Sequence, residues 1–281
     1  MEFISATGEE RYAALVRVAA DSVIGLDLDG TLSPIVDDPS LARIHPDAGE
    51  VLVELAEHVA AIAIITGRPA RQALALGGLD DVGNAIGEMG KELYIFGQYG
   101  NERWSSVNRR VISPRPPHGL ASFLLGLPSL LRRADAFDAY VEEKGLAVAV
   151  HTRRLPDATA AFERLLGPVS ELAAANDLTV EPGRSVIEVR APGTHKGDAV
   201  HTIAEELSTR GFMFAGDDLG DLEAFAAVEE LRQSGQATLL VCSSSDEQGA
   251  LLRRADVSVD GPEGVLDLLR QLSRDAASAR L

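Results

Sequence analysis

Two aspartates one residue apart, Asp27 and Asp29, follow an apolar segment and precede a glycine in the stretch GLDLDGTL at residues 25–32. Because residues two apart in a strand face the same side, Asp27 could point at a phosphorus atom while Asp29 reaches the leaving oxygen. Aspartate can act as a covalent nucleophile in phosphoryl transfer. An Asp-Gly hairpin is the alternative. Pro34 and the continuously apolar strand before the turn argue against that hairpin.

Further polar residues follow two other predicted strands. Thr66 lies in IITGR, and three aspartates lie in GDDLGD after FMFAG, namely Asp217, Asp218 and Asp221. The carboxyl ends of parallel strands meet at one edge of a sheet, so we expect these side chains to lie near Asp27. Clustered carboxylates repel one another unless a cation lies among them, and an all-oxygen ligand set favours Mg²⁺. The alternative for the three aspartates is a capped helix start with an acidic first turn.

A transferred phosphoryl group also needs fixed positive charge and hydrogen-bond donors. Lys196 in GTHKGD is the best candidate for the charge, although a single lysine is more often a surface residue. The hydroxyl of Thr66 and the backbone N–H groups around Gly30 and Thr31 could hold the other phosphoryl oxygens. The combination predicts a site that takes a phosphate-bearing ligand together with a metal.

Apolar strands alternate with helical patterns in the first third of the chain and again after HKG, which predicts an α/β fold with a doubly wound, mostly parallel sheet. Pro69 is expected at the first position of a helix. Between these parts the pattern predicts a small, partly antiparallel sheet with two helices, one of them interrupted at Gly126 and Pro128. We therefore expect a core formed by residues 1–106 and 192–281, with an inserted α+β cap domain at 107–191.

Composition excludes several other classes of protein. The 281 residues carry a net charge of -17 and no basic block, which argues against nucleic acid as a partner. No apolar run reaches the roughly 18 residues of a membrane-spanning helix, and the charged N-terminus is not typical of a signal peptide. The single Cys242 is expected to be a reduced, buried strand residue. These features predict a cytoplasmic protein without a membrane partner.

The four motifs DLDGTL, IITGR, HKGD and GDDLGD resemble, in this order, the motifs of the haloacid dehalogenase superfamily of phosphatases. This resemblance covers roughly residues 22–104 and 186–260 and implies a Rossmann-like core. It implies Asp27 as nucleophile, Asp29 as general acid and base, and Thr66 and Lys196 as further catalytic residues. It also implies a Mg²⁺ site, whose candidate ligands are Asp27, the Asp29 carbonyl, Asp217, Asp218 and Asp221.

Longer stretches resemble one branch of that superfamily, the trehalose-6-phosphate phosphatases. They are DLDGTLSPIVDDP, FGQYGNERW, VEEKGLAVAVHTR, VIEVRAPGTHKGDAV and GDDLGDLEAF. The chain departs from the family pattern at Gly220 and Leu222 in the last motif, and at Thr152 after the histidine of the cap. The candidate substrate-binding residues that the resemblance implies are Gly30, Arg68, Tyr99, Asn101, Glu102, Glu142, Lys144, His151, Arg153 and Glu188.

The resulting hypothesis is a Mg²⁺-dependent phosphatase that converts trehalose 6-phosphate into trehalose and phosphate, with the cap closing over the substrate. A phosphatase for another sugar phosphate, such as a glycosylglycerol or glycosylglycerate phosphate, is an alternative that the cap residues decide. A non-catalytic sugar-phosphate sensor and a phospho-accepting signalling domain are alternatives of a different class. For the cap, His151 could instead be a half-buried packing residue, and Lys144 with the glutamates could form a solvated charge pair.

Overall fold

The computed structural model describes residues 1–36, 41–183, 185–243 and 249–279. Residues 37–39, which end the motif DLDGTLSPIVDDP, lie outside the described residues. The chain divides into two compact units, the first formed by Met1–Ser113 with His195–Leu281 and the second by Pro114–Thr194. Both expected boundaries, at 106/107 and 191/192, fall a few residues too early. The segment after residue 106 stays with the first unit because Ile112 and Arg103 exchange two backbone hydrogen bonds.

The first unit is built from strands and helices that alternate along the chain. Its strands are β1 (Glu2–Phe3), β2 (Ser22–Leu26), β3 (Ala61–Ile65), β4 (Glu92–Gly97), β5 (Glu102–Ser105), β10 (Gly211–Gly216), β11 (Ala237–Ser243) and β12 (Val257–Val259). Its helices are α1 (Gly8–Arg17), α2 (Ala48–Ala56), α3 (Ala70–Gly77), α4 (Leu79–Glu88), α7 (Lys196–Glu206), α8 (Leu222–Gln233), α9 (Gly249–Leu252) and α10 (Gly261–Ala279). Pro69 occupies the N-cap position and α3 begins at Ala70, so the prediction of a proline at the first helical position is wrong by one residue.

Within the described residues these strands form one eight-stranded sheet in the order β1-β12-β11-β10-β2-β3-β4-β5. The strands from β12 to β4 in this order run parallel, and the two outermost strands, β1 and β5, pair antiparallel. From β2 the chain adds β3, β4 and β5 toward one edge of the sheet, and from β10 it adds β11 and β12 toward the other edge. The carboxyl ends of β2 and β10 are therefore neighbours, at the place where open α/β sheets bind ligands.

The central strands are apolar throughout because both faces of the sheet are covered. In β2, Ile24 and Leu26 pack with α2 and α10 on one face, whereas Val23 packs with α7 and α8 on the other. This two-sided burial explains the continuous apolar runs seen in the sequence. Cys242 is buried in β11, as predicted, and burial raises the pKa of its thiol to about 11.

The second unit has its own sheet and core. Its strands are β6 (Tyr140–Glu143), β7 (Ala147–His151), β8 (Thr179–Gly183) and β9 (Val186–Arg190), and its helices are α5 (His118–Arg133) and α6 (Ala158–Ala174). The order is β6-β7-β9-β8 and every pair is antiparallel, not only part of the sheet as predicted. Gly145, with φ of +85°, supplies the predicted Lys-Gly turn between β6 and β7.

Helix α5 runs through Gly126 and Pro128, so the predicted interruption is wrong. Pro128 lies on the exposed side of the helix, where water can hydrogen-bond to the carbonyl that the proline leaves without an N–H partner. The opposite side buries Phe123, Leu127 and Leu131 in the core of the second unit. Among the described residues, no helix combines the length and the apolar character needed to cross a membrane.

Candidate active site

Three buried carboxylates meet at the carboxyl edge of the sheet in the first unit. Asp27 directly follows β2, Asp217 directly follows β10, and Asp221 lies one turn later. One carboxylate oxygen from each residue lies within 4.8 Å of the other two, and the residues are only 4%, 3% and 0% exposed. The strand ends thus bring together the residues predicted from two distant motifs.

A single ammonium group lies against this cluster. Lys196, the first residue of α7, donates from Nζ to Asp27 Oδ1 at 2.6 Å and to Asp221 Oδ1 at 2.7 Å. Burial would lower the pKa of Lys196, but the charges of Asp221 and Asp27 outweigh burial and raise it well above its ordinary value. Lys196 therefore stays protonated, and the interpretation as a surface lysine is wrong.

The cluster has more negative than positive charge. Three carboxylates face one ammonium, and burial raises the pKa of Asp27 and of Asp217 well above the usual range of a carboxyl group. Two further positive charges would restore the balance, which is the charge of one divalent cation. The donor atoms are all oxygens, as hard divalent cations prefer. By charge and by chemistry, this cluster could hold a metal ion.

Asp221 supports the cluster through hydrogen bonds on both carboxylate oxygens. Its Oδ2 accepts the backbone N–H groups of Asp217 at 3.0 Å and of Asp218 at 3.3 Å, and its Oδ1 accepts from Lys196. These bonds tie the end of β10 to the start of α7. Asp221 thus positions both Asp217 and Lys196.

Asp29 lies apart from the cluster because its carboxylate pairs with an arginine. Arg68 donates from Nε to Asp29 Oδ2 at 2.6 Å and from Nη2 to Asp29 Oδ1 at 2.7 Å, a bidentate ion pair. The Asp29 side chain is 38% exposed, against 11% for Arg68. Thr66 Oγ1 accepts the backbone N–H of Arg68 at 3.2 Å, so IITGR supplies the residue that holds Asp29.

Asp218 also lies outside the cluster. It is exposed, and its Oδ1 accepts the N–H of Gly220 at 2.9 Å, which caps the short turn before α8. The capping interpretation of the acidic motif therefore holds for Asp218 and for Asp221, which completes the capping box, and Asp221 also belongs to the cluster with Asp217. Gly220, a departure from the family pattern, supplies the N–H that this cap requires.

Gly30 allows the turn after β2 to touch the acidic cluster. It adopts φ of +74°, and a Cβ atom there would lie 2.1 Å from Asp217 Oδ2. Its N–H donates to the carbonyl of Ser33 at 2.7 Å, and its own carbonyl accepts from Ser243 Oγ at 2.6 Å. Ser243 was missed from the sequence, where one serine in a serine-rich stretch carries no signal of such a contact.

The loop after β4 packs against IITGR. The Tyr99 ring lies so close to Gly67 that a Cβ atom on that glycine would be 2.9 Å from Tyr99 Cζ. Tyr99 itself has φ of +61°, an uncommon conformation that often accompanies functional loops. Asn101 Nδ2 donates to the carbonyl of Gln98 at 3.0 Å within the loop. Glu102 Oε2 accepts the N–H of Ala70 at 2.7 Å, so this predicted sugar contact caps α3.

The second unit places its predicted substrate residues on one face of its sheet. Ala149 pairs in register with Glu142 on one side and Glu188 on the other, opposite to the face that packs against α5 and α6. Lys144 Nζ donates to Glu188 Oε2 at 2.5 Å, and His151 Nε2 lies 2.9 Å from Glu142 Oε2. The Lys144 and Glu188 side chains are only 13% and 7% exposed, which excludes a solvated charge pair.

Other residues of the second unit complete or flank this face. Arg153 is half-buried, and Thr152, a departure from the family pattern, is fully buried with its hydroxyl donating to the carbonyl of Ser185 at 3.2 Å. The Tyr140 ring packs on His151 with centroids 5.4 Å apart. Sequence reasoning missed Tyr140, although the pairing of Tyr140 with His151 across the predicted hairpin could have indicated it.

Replacing Gly30 by alanine tests the close contact with Asp217. Gly90 is the matched control, because its φ is +72° and a Cβ atom there would meet nothing within 4 Å. Gly90→Ala should lower the free energy of unfolding by about 1 kcal/mol through backbone strain. Gly30→Ala should cost about 2–4 kcal/mol because overpacking adds to that strain, and it should weaken divalent-cation binding at least about tenfold. Urea unfolding and titration calorimetry measure both effects, and equal cation affinity in Gly30→Ala and Gly90→Ala would contradict this account.

Comparison with known proteins identifies relatives along most of the chain. A family model described as trehalose-phosphatase matches residues 25–104 and 133–258. An uncharacterized glycosyl hydrolase of Mycobacterium tuberculosis is 32% identical over 265 residues, which are 90% of this chain and 18% of that protein. The trehalose-phosphate phosphatase of Mycobacterium leprae is 28% identical over 280 residues, 93% of this chain and 60% of that protein. The chain thus spans less than two thirds of either relative.

The C-terminal domain of the trehalose-6-phosphate phosphatase of Candida albicans has a similar structure, with a TM-score of 0.75. It is 19% identical, and the match covers 97% of this chain and 98% of that one. The predicted haloacid dehalogenase-like fold, with a mostly parallel sheet, is confirmed. Together with the extent of the family match, these findings show that the chain belongs to the trehalose-phosphatase family.

Proposed function

We propose that this chain is a Mg²⁺-dependent phosphatase that hydrolyses trehalose 6-phosphate to trehalose and phosphate through an aspartyl-phosphate on Asp27. The observation that carries the proposal is the buried Lys196 ammonium held between Asp27 and Asp221, with Asp217 beside them. A structural ion pair needs one carboxylate beside the ammonium, whereas this site has three. A phospho-accepting signalling domain would lack the second, proton-shuttling carboxylate that Asp29 supplies. Membership of the family supports the choice of reaction, as does the similarity to the trehalose-phosphate phosphatase of Mycobacterium leprae.

In the first step Asp27 attacks the phosphorus atom, and the bond from phosphorus to the sugar oxygen breaks. Asp29 donates a proton to the departing sugar oxygen. In the second step Asp29 accepts a proton from a water molecule, and the resulting hydroxide attacks the phosphorus of the aspartyl-phosphate. Inorganic phosphate leaves and the Asp27 carboxylate is restored.

Fixed positive and polar groups stabilise the charge that develops on the phosphoryl oxygens. Lys196 supplies a full charge at the attacking carboxylate, and Thr66 lies in the loop beside it. Mg²⁺ would be held by Asp27, Asp217 and the carbonyl of Asp29, and when bound it would supply positive charge that neutralises the phosphoryl group. Asp221 acts by orienting Lys196 and Asp217.

Arg68 holds the Asp29 carboxylate at the turn before the phosphate arrives. The bidentate pair fixes the plane of the Asp29 carboxylate at the turn, and the guanidinium is also the kind of group that binds a phosphoryl oxygen. An arriving phosphate would compete with Asp29 for the same donors. Arg68 thus couples phosphate binding to the release of the Asp29 carboxylate.

The polar face of the second unit supplies sugar recognition. Glu142, Lys144, His151 and Glu188 form two adjoining pairs on a sheet whose other face packs against the core of the second unit, and Arg153 lies two residues after His151. Paired carboxylates and cations offer both acceptors and donors to sugar hydroxyls. A neutral disaccharide requires such groups on a rigid support.

The nucleophile is tested by Asp27→Asn, with Asp218→Asn as the matched control. Asp27→Asn should lower kcat on trehalose 6-phosphate at least about a thousandfold because the amide is a poor nucleophile. Asp218→Asn keeps a capping oxygen and should stay within about threefold of the wild type. Phosphate release is measured with Mg²⁺ and with a chelator. Retained activity in Asp27→Asn would overturn the nucleophile assignment.

The same assay with a substrate panel tests the sugar. The panel holds trehalose 6-phosphate, glucose 6-phosphate, a glycosylglycerol phosphate and a glycosylglycerate phosphate. If the protein hydrolyses the glycosylglycerol phosphate or the glycosylglycerate phosphate faster than trehalose 6-phosphate, that compound becomes the assigned substrate. No phosphate release from any member would overturn the assignment as an enzyme in favour of a sugar-phosphate sensor.

Replacing Arg68 by alanine tests the positioning of Asp29. Arg254→Ala is the matched control, because Arg254 also pairs through Nε and Nη2 with one carboxylate, that of Glu229 on α8, while its Nη1 donates to the carbonyl of Leu222. Arg68→Ala should lower kcat/KM for trehalose 6-phosphate about a hundredfold. It should lower kcat/KM for p-nitrophenyl phosphate at most about tenfold, because the leaving oxygen of that substrate needs no proton. Equal losses on the two substrates would show that Arg68 serves phosphate binding alone.

Glu188→Gln tests sugar recognition by the second unit, with Glu181→Gln as control on the neighbouring strand. Glu181 faces Glu188 in register and pairs with Arg190 at 3.0 Å, with its side chain 43% exposed. Glu188→Gln should raise KM for trehalose 6-phosphate about 10–100-fold, since hydrogen bonds to charged groups contribute about 1.5–3 kcal/mol. Hydrolysis of p-nitrophenyl phosphate should not change. An unaltered KM would remove Glu188 from the sugar site.

A further inference from the structure

Ser243, the last residue of β11, makes a long-range hydrogen bond to the turn that carries Asp29 and Gly30. Its hydroxyl donates to the carbonyl of Gly30 at 2.6 Å, across 213 residues of sequence. Ser243 is fully buried. A buried hydroxyl on a buried carbonyl is a fixed contact, because neither group can exchange its partner for bulk water.

The sheet order explains what this bond crosses. Strand β10 lies between β11 and β2, and Gly216, the last residue of β10, pairs with Cys242. Ser243 is therefore level with Asp217, the residue that follows β10. The bond from Ser243 to Gly30 passes over the end of β10 at the point where Asp217 enters the acidic cluster.

The turn after β2 is in close contact with Asp217 at Gly30. Gly30 already lies so close to Asp217 that a Cβ atom would be 2.1 Å from Oδ2. The Gly30 N–H is bonded within the turn to Ser33, while its carbonyl is bonded across the sheet edge to Ser243. The serine hydroxyl thus sets how closely the turn approaches Asp217 from the side of β11.

We propose that Ser243 is a positioning residue of the active site. It holds the turn after β2 at the distance from Asp217 at which Asp27 and Asp217 share one divalent cation and Asp29 faces the leaving oxygen. This inference rests on the proposed function for the role of the cation. The hydroxyl of Ser243 bonds to the carbonyl of Gly30, so it acts through that turn, as outer residues around metal sites do.

Ser243→Ala tests the proposal, and Ser22→Ala is its matched control. Ser22 is also fully buried, and its hydroxyl donates to a backbone carbonyl, that of Val18, at 2.8 Å. It begins β2, at the opposite end of the sheet from the acidic cluster. Both variants lose one buried hydroxyl bond to a carbonyl. Ser243→Thr keeps a hydroxyl and is the conservative variant.

The measurements are Mg²⁺ affinity by titration calorimetry without substrate, kcat and KM for trehalose 6-phosphate, and the midpoint of urea unfolding. We expect Ser243→Ala to weaken Mg²⁺ binding about tenfold and to lower kcat about tenfold, with KM within about twofold. Ser243→Thr should recover most of both losses. Ser22→Ala should lower the unfolding midpoint about as much as Ser243→Ala and leave Mg²⁺ affinity unchanged.

Unchanged Mg²⁺ affinity in Ser243→Ala, or equal weakening in Ser22→Ala, would overturn the proposal by showing a purely structural bond. Absence of Mg²⁺ binding by the wild type would overturn it as well. The calorimetric result does not depend on the sugar. If the wild type binds Mg²⁺ but releases no phosphate from any substrate, the proposed function fails while the comparison of Ser243→Ala with Ser22→Ala still decides the role of Ser243.

Discussion

The buried ion pair network around Lys196 is the interaction on which the rest of the site depends. Its ammonium joins the start of α7 to the ends of β2 and β10, through Asp27, 169 residues away in sequence, and through Asp221. Burial of Lys196 costs free energy that only close carboxylates can offset. Three ionised carboxylates beside one ammonium leave an excess of negative charge, and burial together with this excess raises the pKa of Asp27 and Asp217. That excess is the physical reason for the inference of a divalent cation.

Close backbone approach is the second constraint on the site. A Cβ atom on Gly30 would overlap Asp217, and one on Gly216 would lie 2.4 Å from Asp221 Cγ. Two glycines therefore allow the turn after β2 to approach Asp217 and the end of β10 to approach Asp221. The bond from Ser243 to Gly30 holds that turn from β11. The compact acidic cluster thus depends on the two glycines, which have no side chain, as much as on the aspartates.

The two units divide the proposed labour by their physical construction. The first unit presents groups at the ends of parallel strands, where carboxylates from several strands converge. The second presents groups on one face of an antiparallel sheet, where Glu142 and Glu188 flank Ala149 and the opposite face is apolar. Substitutions on that polar face would change which sugar is bound and would leave the packing of the core unchanged.

The sequence by itself determined the strand ends and the residues that follow them, since strands buried on both faces are continuously apolar and parallel strands end at one edge. Asp27 and Asp217 could be placed together on that ground, whereas Lys196 was chosen as the positive charge that a phosphoryl group needs, and the family motifs agreed. Only the tertiary structure decided which carboxylate meets which donor. Asp29 pairs with Arg68, Asp218 caps a turn, Glu102 caps α3, and Ser243 reaches Gly30. Sequence spacing could not predict the pairs joining separate elements, because each depends on distances of a few tenths of an ångström set by packing. The sequence also could not predict that α5 continues through Pro128, because burial of one face of the helix outweighs the low helix propensity of proline.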